Sequence, residues 1–112
     1  MPLLHAWLVA FTLTVTSELV VAVPLLAPSG GSRLRRIAAV CLAQLATHPS
    51  VWFIWPLFGW SRPVYLLAAE AFALCAEALI YRLVFERLAW SRAFAVSALA
   101  NAASIVVGLW LH

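Results

Sequence analysis

The sequence contains no lysine and no aspartate, and its charged residues, seven arginines and four glutamates, make up only 10% of the 112 residues. Because 66% of the chain is hydrophobic, too little polar surface remains to cover a compact water-soluble domain. Two cysteines, each inside an apolar run, are too few for a disulfide scaffold. The arginines stand between apolar runs rather than in one basic patch, which argues against nucleic-acid binding. Composition therefore predicts an integral membrane protein embedded in a lipid bilayer.

Four apolar runs are long enough to cross a bilayer as helices, which takes about 20 residues each. The predicted spans are residues 3–27, 37–58, 64–85 and 93–111. The short breaks between them contain Pro, Gly, Ser and Arg, so consecutive helices are expected to pack antiparallel. The sequence thus predicts a single domain over residues 1–112, an all-α antiparallel four-helix transmembrane bundle.

Arginine placement predicts the orientation of these spans. Six of the seven arginines lie in or beside loops 28–36 and 86–92, and only Arg62 lies in the loop between them. Because positive charge is retained in the cytoplasm, both arginine-rich loops are predicted to be cytoplasmic and both termini to face outward. Five of the six tryptophans then fall at the outer ends of the spans, as in an aromatic belt.

A weak internal repeat relates the two halves of the chain. Three polar residues recur at a constant spacing of 57 residues, with Arg35, Gln44 and Thr47 matched by Arg92, Asn101 and Ser104. Glu18 has a counterpart in Glu77 at a spacing of 59 residues. This pattern indicates two repeated helical hairpins, related by an axis along the membrane normal.

Polar side chains within the predicted spans are the candidate functional residues. A charged side chain at the bilayer centre costs about 2.5–3.5 kcal/mol, so such residues are expected to be neutral, paired or functional. The candidates for proton or ligand binding are Glu18, His48, Glu70 and Glu77. Spacings of three, four or seven residues put further polar groups on the same helix faces. These supporting residues are Thr14, Gln44, Thr47, Ser97, Asn101 and Ser104. Pro49, directly after His48, predicts a kink in the second helix.

Several chemistries are compatible with these residues. Histidine with carboxylates suits a divalent metal such as Zn, Fe or Mn, with His48, Glu18 and Glu77 as ligands, although no helical metal-binding spacing is present. Proton exchange needs only a carboxyl whose surroundings favour its protonated form. The preferred hypothesis is a mid-membrane site for a proton, cation or small polar ligand, and no cofactor is identified. An intramembrane hydrolase is disfavoured because the spans contain a single histidine.

The alternative from another class is an accessory or scaffolding subunit of a larger membrane complex. In that case the buried polar groups would only fix the packing of the helices. Because the loops are short, a partner would dock through lipid-facing surfaces of the Ala-rich third and fourth helices. Either hypothesis is compatible with a homo-oligomer.

Two resemblances bear on this hypothesis. Four helices with a glutamate in the first, Glu18, resemble the layout of small multidrug resistance transporters, which would lend Glu18 the role of a shared proton and cation site. The chain is more similar to an uncharacterised group of small bacterial four-helix membrane proteins, which implies a bacterial inner membrane and no particular activity. The resemblance covers most of the chain through four motifs: Thr14 and Glu18; Gln44, Thr47, His48, Pro49 and Trp52; Glu70 and Glu77; Ser97, Asn101 and Ser104.

Overall fold

A computed structural model describes residues 2–111 and consists of four long helices. These are α1 (Pro2–Leu26), α2 (Arg33–Phe53), α3 (Arg62–Val84) and α4 (Trp90–Leu111), with short 3₁₀ turns at Ala27–Ser29 and Trp55–Phe58. By length and composition, all four helices are able to cross a membrane. The prediction of an all-helical protein with four helices of membrane-spanning length is confirmed.

The second helix ends earlier than predicted. The expected span ran to residue 58, but α2 stops at Phe53 and the chain continues as a 3₁₀ turn that contains Pro56. Proline has no backbone N–H, so the α-helical hydrogen bond that residue 56 would make is lost. The carbonyl left without this partner is that of Trp52, four residues earlier. One residue before it, the Val51 carbonyl accepts a hydrogen bond from the Tyr65 hydroxyl, on α3, at 2.7 Å. His48 lies five residues before the end of α2 and inside the apolar segment Arg33–Phe58, which is long enough to cross a membrane.

Pro49 does not interrupt α2, which is helical from Arg33 to Phe53. The Thr47 carbonyl, two residues earlier, accepts a hydrogen bond from the Ser50 hydroxyl at 2.8 Å. At the other end of the helix, the Ser32 side chain caps the first turn by accepting from the Arg35 amide at 3.1 Å.

The four helices pack in a ring. Helix α1 contacts α2 and α4, and α3 contacts the same two helices, so each helix has two principal neighbours. Small side chains dominate the buried interior and allow the helices to approach closely. Six buried alanines serve this purpose: Ala22, Ala39, Ala43, Ala78, Ala93 and Ala100.

Arginines cap the helices at one end of the ring, which we call the arginine end. Arg35 donates to the Val84 carbonyl, and Arg92 donates to the Leu25 carbonyl at 3.2 Å. Arg36 donates to a third carbonyl, that of Val23. The last carbonyls of a helix have no partner within it and carry a partial negative charge, so a guanidinium group stabilises them.

Two of these three contacts, those of Arg35 and Arg92, follow the internal repeat. Arg35 and Arg92 are 57 residues apart, and their acceptors, Leu25 and Val84, are 59 residues apart, the same spacing as Glu18 and Glu77. Burial repeats in the same way, since Glu18 and Glu77 are each 1% exposed. The two halves therefore make equivalent contacts at the arginine end.

Aromatic side chains gather at the opposite end, which we call the aromatic end and define by Trp7, Trp52, Trp55 and Trp60. Trp55 and Trp60 pack edge to face with ring centroids 5.7 Å apart. The two ends thus differ in chemistry, with arginines at one and aromatic rings at the other.

Candidate functional site

Two carboxyl groups meet at the centre of the structure. Glu18 on α1 and Glu77 on α3 are both buried, and their carboxyls lie within hydrogen-bonding reach of each other. Ionised carboxylates can only accept hydrogen bonds, so a bond between the two requires a proton on one of them. Two adjacent negative charges in an apolar interior repel each other strongly, so this arrangement disfavours the state in which both carboxyls are ionised.

Two amide side chains orient the Glu77 carboxyl. Gln44 Nε2, on α2, donates to Glu77 Oε1, and Asn101 Nδ2, on α4, donates to Glu77 Oε2 at 3.0 Å. The Gln44 amide also lies within reach of Glu18. Both donors are neutral, so they hold the carboxyl in place without cancelling a negative charge. All four helices therefore contribute a polar side chain to one layer. From α2 this side chain is Gln44, a predicted supporting residue, and not His48, a predicted binding residue.

The predicted hydroxyl side chains support this layer. Ser97 donates to the Leu74 carbonyl at 2.9 Å and thereby links α4 to α3. Asn101 Nδ2 also bonds the Ser97 carbonyl at 2.8 Å, which fixes the direction of the amide. Thr47 and Ser104 donate to carbonyls of their own helices, as hydroxyls in helices commonly do.

A cavity of about 220 Å³ extends from the carboxyl pair toward the aromatic end. Glu77 and Asn101 line its inner part, and Glu70, His48 and Trp52 line its outer part. Gln44 and three hydroxyl-bearing residues complete the polar lining; the hydroxyls are those of Thr14, Thr47 and Ser104. A polar cavity of this size has room for several water molecules.

Glu70 and Glu77 share this cavity but differ in their surroundings. Glu77 is buried against two amides, whereas Glu70 is exposed. The sequence placed both carboxyls on one face of α3, seven residues apart, and both do line the cavity. Glu70, however, lies toward the aromatic end of it, away from the Glu18–Glu77 contact.

An indole N–H fixes the state of the His48 ring. Trp7 Nε1 donates to His48 Nδ1 at 3.0 Å, and Phe11 and Trp52 pack against the imidazole with centroids 5.5 and 6.1 Å away. Because Nδ1 accepts, the imidazole is neutral and its proton is on Nε2. Sequence reasoning assigned Trp7 to the aromatic belt and missed this contact, for which the sequence carries no signal.

Tyr81 is a second residue that sequence reasoning missed. Its side chain is fully buried on α3, close to the carboxyls of Glu77 and Glu18, and its hydroxyl makes no hydrogen bond. The spacing of four residues between Glu77 and Tyr81 puts both on one helix face, which is the signal that could have identified it. Toward the arginine end the site is closed by the apolar core, to which Tyr81 belongs together with Leu26, Val40 and Phe85.

The predicted metal ligands do not form a cluster. Within residues 2–111, no three His, Cys, Asp or Glu side chains come together in an arrangement that could hold a metal ion. His48 bonds Trp7, and Glu18 meets Glu77.

No protein-family model, curated protein or solved structure gives a significant match to this chain. Its function must accordingly be argued from the chemistry of the site.

Proposed function

We propose that this chain is a multi-pass membrane protein whose Glu18–Glu77 pair binds a proton and exchanges it across the membrane. The four apolar helices would form an antiparallel transmembrane bundle, an arrangement that the arginine contacts at the ends of α1 and α3 support. By the positive-inside rule, the arginine end faces the cytoplasm and both termini face outward.

The observation that carries this proposal is that two buried carboxyls lie within hydrogen-bonding reach of each other, while the donors to Glu77 are neutral amides. Two carboxyls side by side have three states of different charge, with two protons, one proton or none, and they are chemically suited to proton exchange. Such pairs titrate together, so proton binding at one changes proton binding at the other.

The cavity gives this pair a route to water on one side. Glu77 lines the cavity, and Glu70 and the Nε2–H side of His48 offer further groups for hydrogen-bonded water between the pair and the aromatic end. The apolar core closes the other side. The pair would therefore exchange protons with the outer side in this conformation. Exchange with the cytoplasmic side would require the helices to separate at the arginine end, so that water could reach the pair through the apolar core.

A small cation that enters the cavity would compete with the proton for the same carboxyls. Its positive charge favours the ionised form of a nearby carboxyl, so cation entry would drive proton release. This competition would couple the movement of a proton to that of a cation.

A flux assay in vesicles tests the proposal. Purified protein is reconstituted in liposomes that contain a pH-sensitive dye, the membrane potential is clamped with K⁺ and valinomycin, and the external pH is stepped. We expect the internal pH to follow the external pH at least several-fold faster than in empty vesicles. Glu18→Gln and Glu77→Gln should each return the rate to that of empty vesicles, because a glutamine side chain cannot carry the proton.

Glu86→Gln is the matched control, since Glu86 is the fourth glutamate of the chain, exposed and outside the helices. It should leave the flux unchanged. A wild-type flux equal to that of empty vesicles would contradict the proposal, and so would a flux that survives both glutamine substitutions in the pair.

A further inference from the structure

Two buried oxygen atoms near the carboxyl pair have no hydrogen-bond partner. One is Glu18 Oε1 and the other is the Tyr81 hydroxyl. A buried polar atom without a partner is rare in proteins, because its lost hydration is not compensated. The first of these atoms is an acceptor and the second carries a donor hydrogen, so each could satisfy the other.

The two members of the pair are held unequally. Both oxygens of Glu77 accept hydrogen bonds from amides, those of Gln44 and Asn101. Glu18 has one oxygen free, and Glu77 but not Glu18 lines the cavity. Glu77 is therefore the fixed member on the water side, and Glu18 is the member that is able to move.

Loss of the proton from the carboxyl pair leaves Glu18 without its hydrogen bond to Glu77. With the proton present, the two carboxyls attract each other through a hydrogen bond. Without it they repel, and Glu77 keeps its two amide donors while Glu18 needs a new one. The Tyr81 O–H is a buried donor close to both carboxyls that is not used by another group.

We propose that Tyr81 is a positioning residue that donates a hydrogen bond to Glu18 when the carboxyl pair loses its proton. The proposal rests on the proposed function, because it assumes that the pair changes its protonation state. The Glu18 carboxylate moves away from Glu77 toward Tyr81 and therefore toward the arginine end. Tyr81 thus determines the direction in which the Glu18 carboxylate moves away from Glu77. The tyrosine only donates a hydrogen bond, and its covalent O–H bond is not broken.

Tyrosine content makes this proposal testable by infrared spectroscopy. The chain has two tyrosines, Tyr65 and Tyr81. Ring-deuterated tyrosine is incorporated into the full-length protein in lipid nanodiscs, and difference spectra are recorded across a series of pH steps. In the Tyr65→Phe variant every labelled tyrosine band comes from Tyr81, and in Tyr81→Phe every such band comes from Tyr65. The Tyr65 hydroxyl already has a partner, the Val51 carbonyl, so Tyr65 provides the matched control.

The expected result is a shift of the phenol C–O band in Tyr65→Phe over the same pH steps that change the carboxyl C=O band of the pair. Tyr81→Phe should keep the carboxyl change and show no tyrosine shift. Adding Glu18→Gln to Tyr65→Phe should abolish the shift, because the acceptor carboxylate is gone.

The outcomes separate this proposal from the proposed function. If the carboxyl band changes with pH while the Tyr81 band stays constant, the role of Tyr81 is wrong and the proton site stands. If the tyrosine shift persists with Glu18→Gln, the role of Tyr81 is also wrong, since Glu18 is not its partner. If the carboxyl band of the pair does not change across the pH range, both proposals fail.

Discussion

Equivalent positions of the two hairpins make equivalent contacts at the arginine end and different contacts at the aromatic end. Arg35 and Arg92 each cap the neighbouring hairpin, with acceptors at matching positions. At the aromatic end the same spacings pair His48 with Ile105, and Glu70 with Phe11. The contacts that both hairpins share at the arginine end therefore form a scaffold. The differences between the hairpins at the aromatic end leave space for the polar cavity.

The carboxyl pair lies where these two regions meet. Glu18 and Glu77 occupy matching positions in the two hairpins and are buried to the same extent, but the residues around them differ. Tyr81 follows Glu77 by one turn, whereas Ala22 follows Glu18 by one turn, and both are fully buried in the same core. A symmetric scaffold thus holds two carboxyls in unequal environments, which is a common way for proteins to give paired acids different roles.

The largest expected effect comes from breaking the large–small match between Tyr81 and Ala22. Ala22→Tyr should destabilise the protein by about 3 kcal/mol, because a second large ring overfills a packed core. The double variant Ala22→Tyr with Tyr81→Ala should recover about 1 kcal/mol of this loss, since it exchanges the two sizes between repeat-related positions. The free energy of unfolding in lipid bicelles measures both. If the change in unfolding free energy of the double variant equals the sum of the two single changes, the side chains at positions 22 and 81 do not pack in the same part of the core.

A smaller effect distinguishes the two members of the carboxyl pair. Glu77→Ala leaves the amides of Gln44 and Asn101 without their acceptor, and should cost about 2 kcal/mol of unfolding free energy. Glu18→Ala removes fewer hydrogen bonds and should cost about 1 kcal/mol. The same unfolding measurement checks the order. Equal losses, or a greater loss for Glu18→Ala, would contradict the unequal roles of the pair.

The arginine contacts test the symmetry of the scaffold. Arg35→Ala and Arg92→Ala should each lower the unfolding free energy by about 1 kcal/mol, because each removes one charge-assisted hydrogen bond to a helix terminus. Arg33→Ala is the control, since Arg33 is an exposed arginine at the start of the same helix as Arg35. If either substitution lowers the unfolding free energy no more than Arg33→Ala does, the two hairpins are not equivalent at the arginine end.

The smallest effect concerns the aromatic end. Trp7→Phe keeps an aromatic ring against Phe11 but removes the indole donor to His48, so stability should fall by about 0.5 kcal/mol. The sharper readout is the ¹⁵N NMR spectrum of His48, which should change from one tautomer, protonated at Nε2, to a mixture of both. Trp110→Phe, at a side chain that is 84% exposed, should leave this spectrum unchanged. A single tautomer in Trp7→Phe would show that another group fixes the ring.

Much of this organisation follows from local rules. The number of helices follows from the lengths of the apolar runs. The burial of Glu18 and Glu77 in the interior follows from the cost of exposing a carboxyl to lipid, whereas the sequence did not predict that Gln44 rather than His48 would join them. The resemblance to small four-helix membrane proteins remains a prediction.

The remaining features depend on contacts between distant segments. The chain leaves the α-helix shortly before Pro56, and the Tyr65–Val51 hydrogen bond at this end of α2 needs α3 in place. The Trp7–His48 bond joins residues 41 positions apart, and the free hydroxyl of Tyr81 is recognised only once its neighbours are known. Helical periodicity describes one helix at a time and therefore does not predict such pairs.

The central claim is that Glu18 and Glu77 share a proton, and the infrared spectrum tests it most directly. At neutral pH in nanodiscs, the wild-type protein should show a C=O band of a protonated carboxyl. This band should persist in Glu86→Gln and disappear in the double variant Glu18→Gln with Glu77→Gln. A wild-type spectrum without this band, or a band that survives the double substitution, would contradict the account.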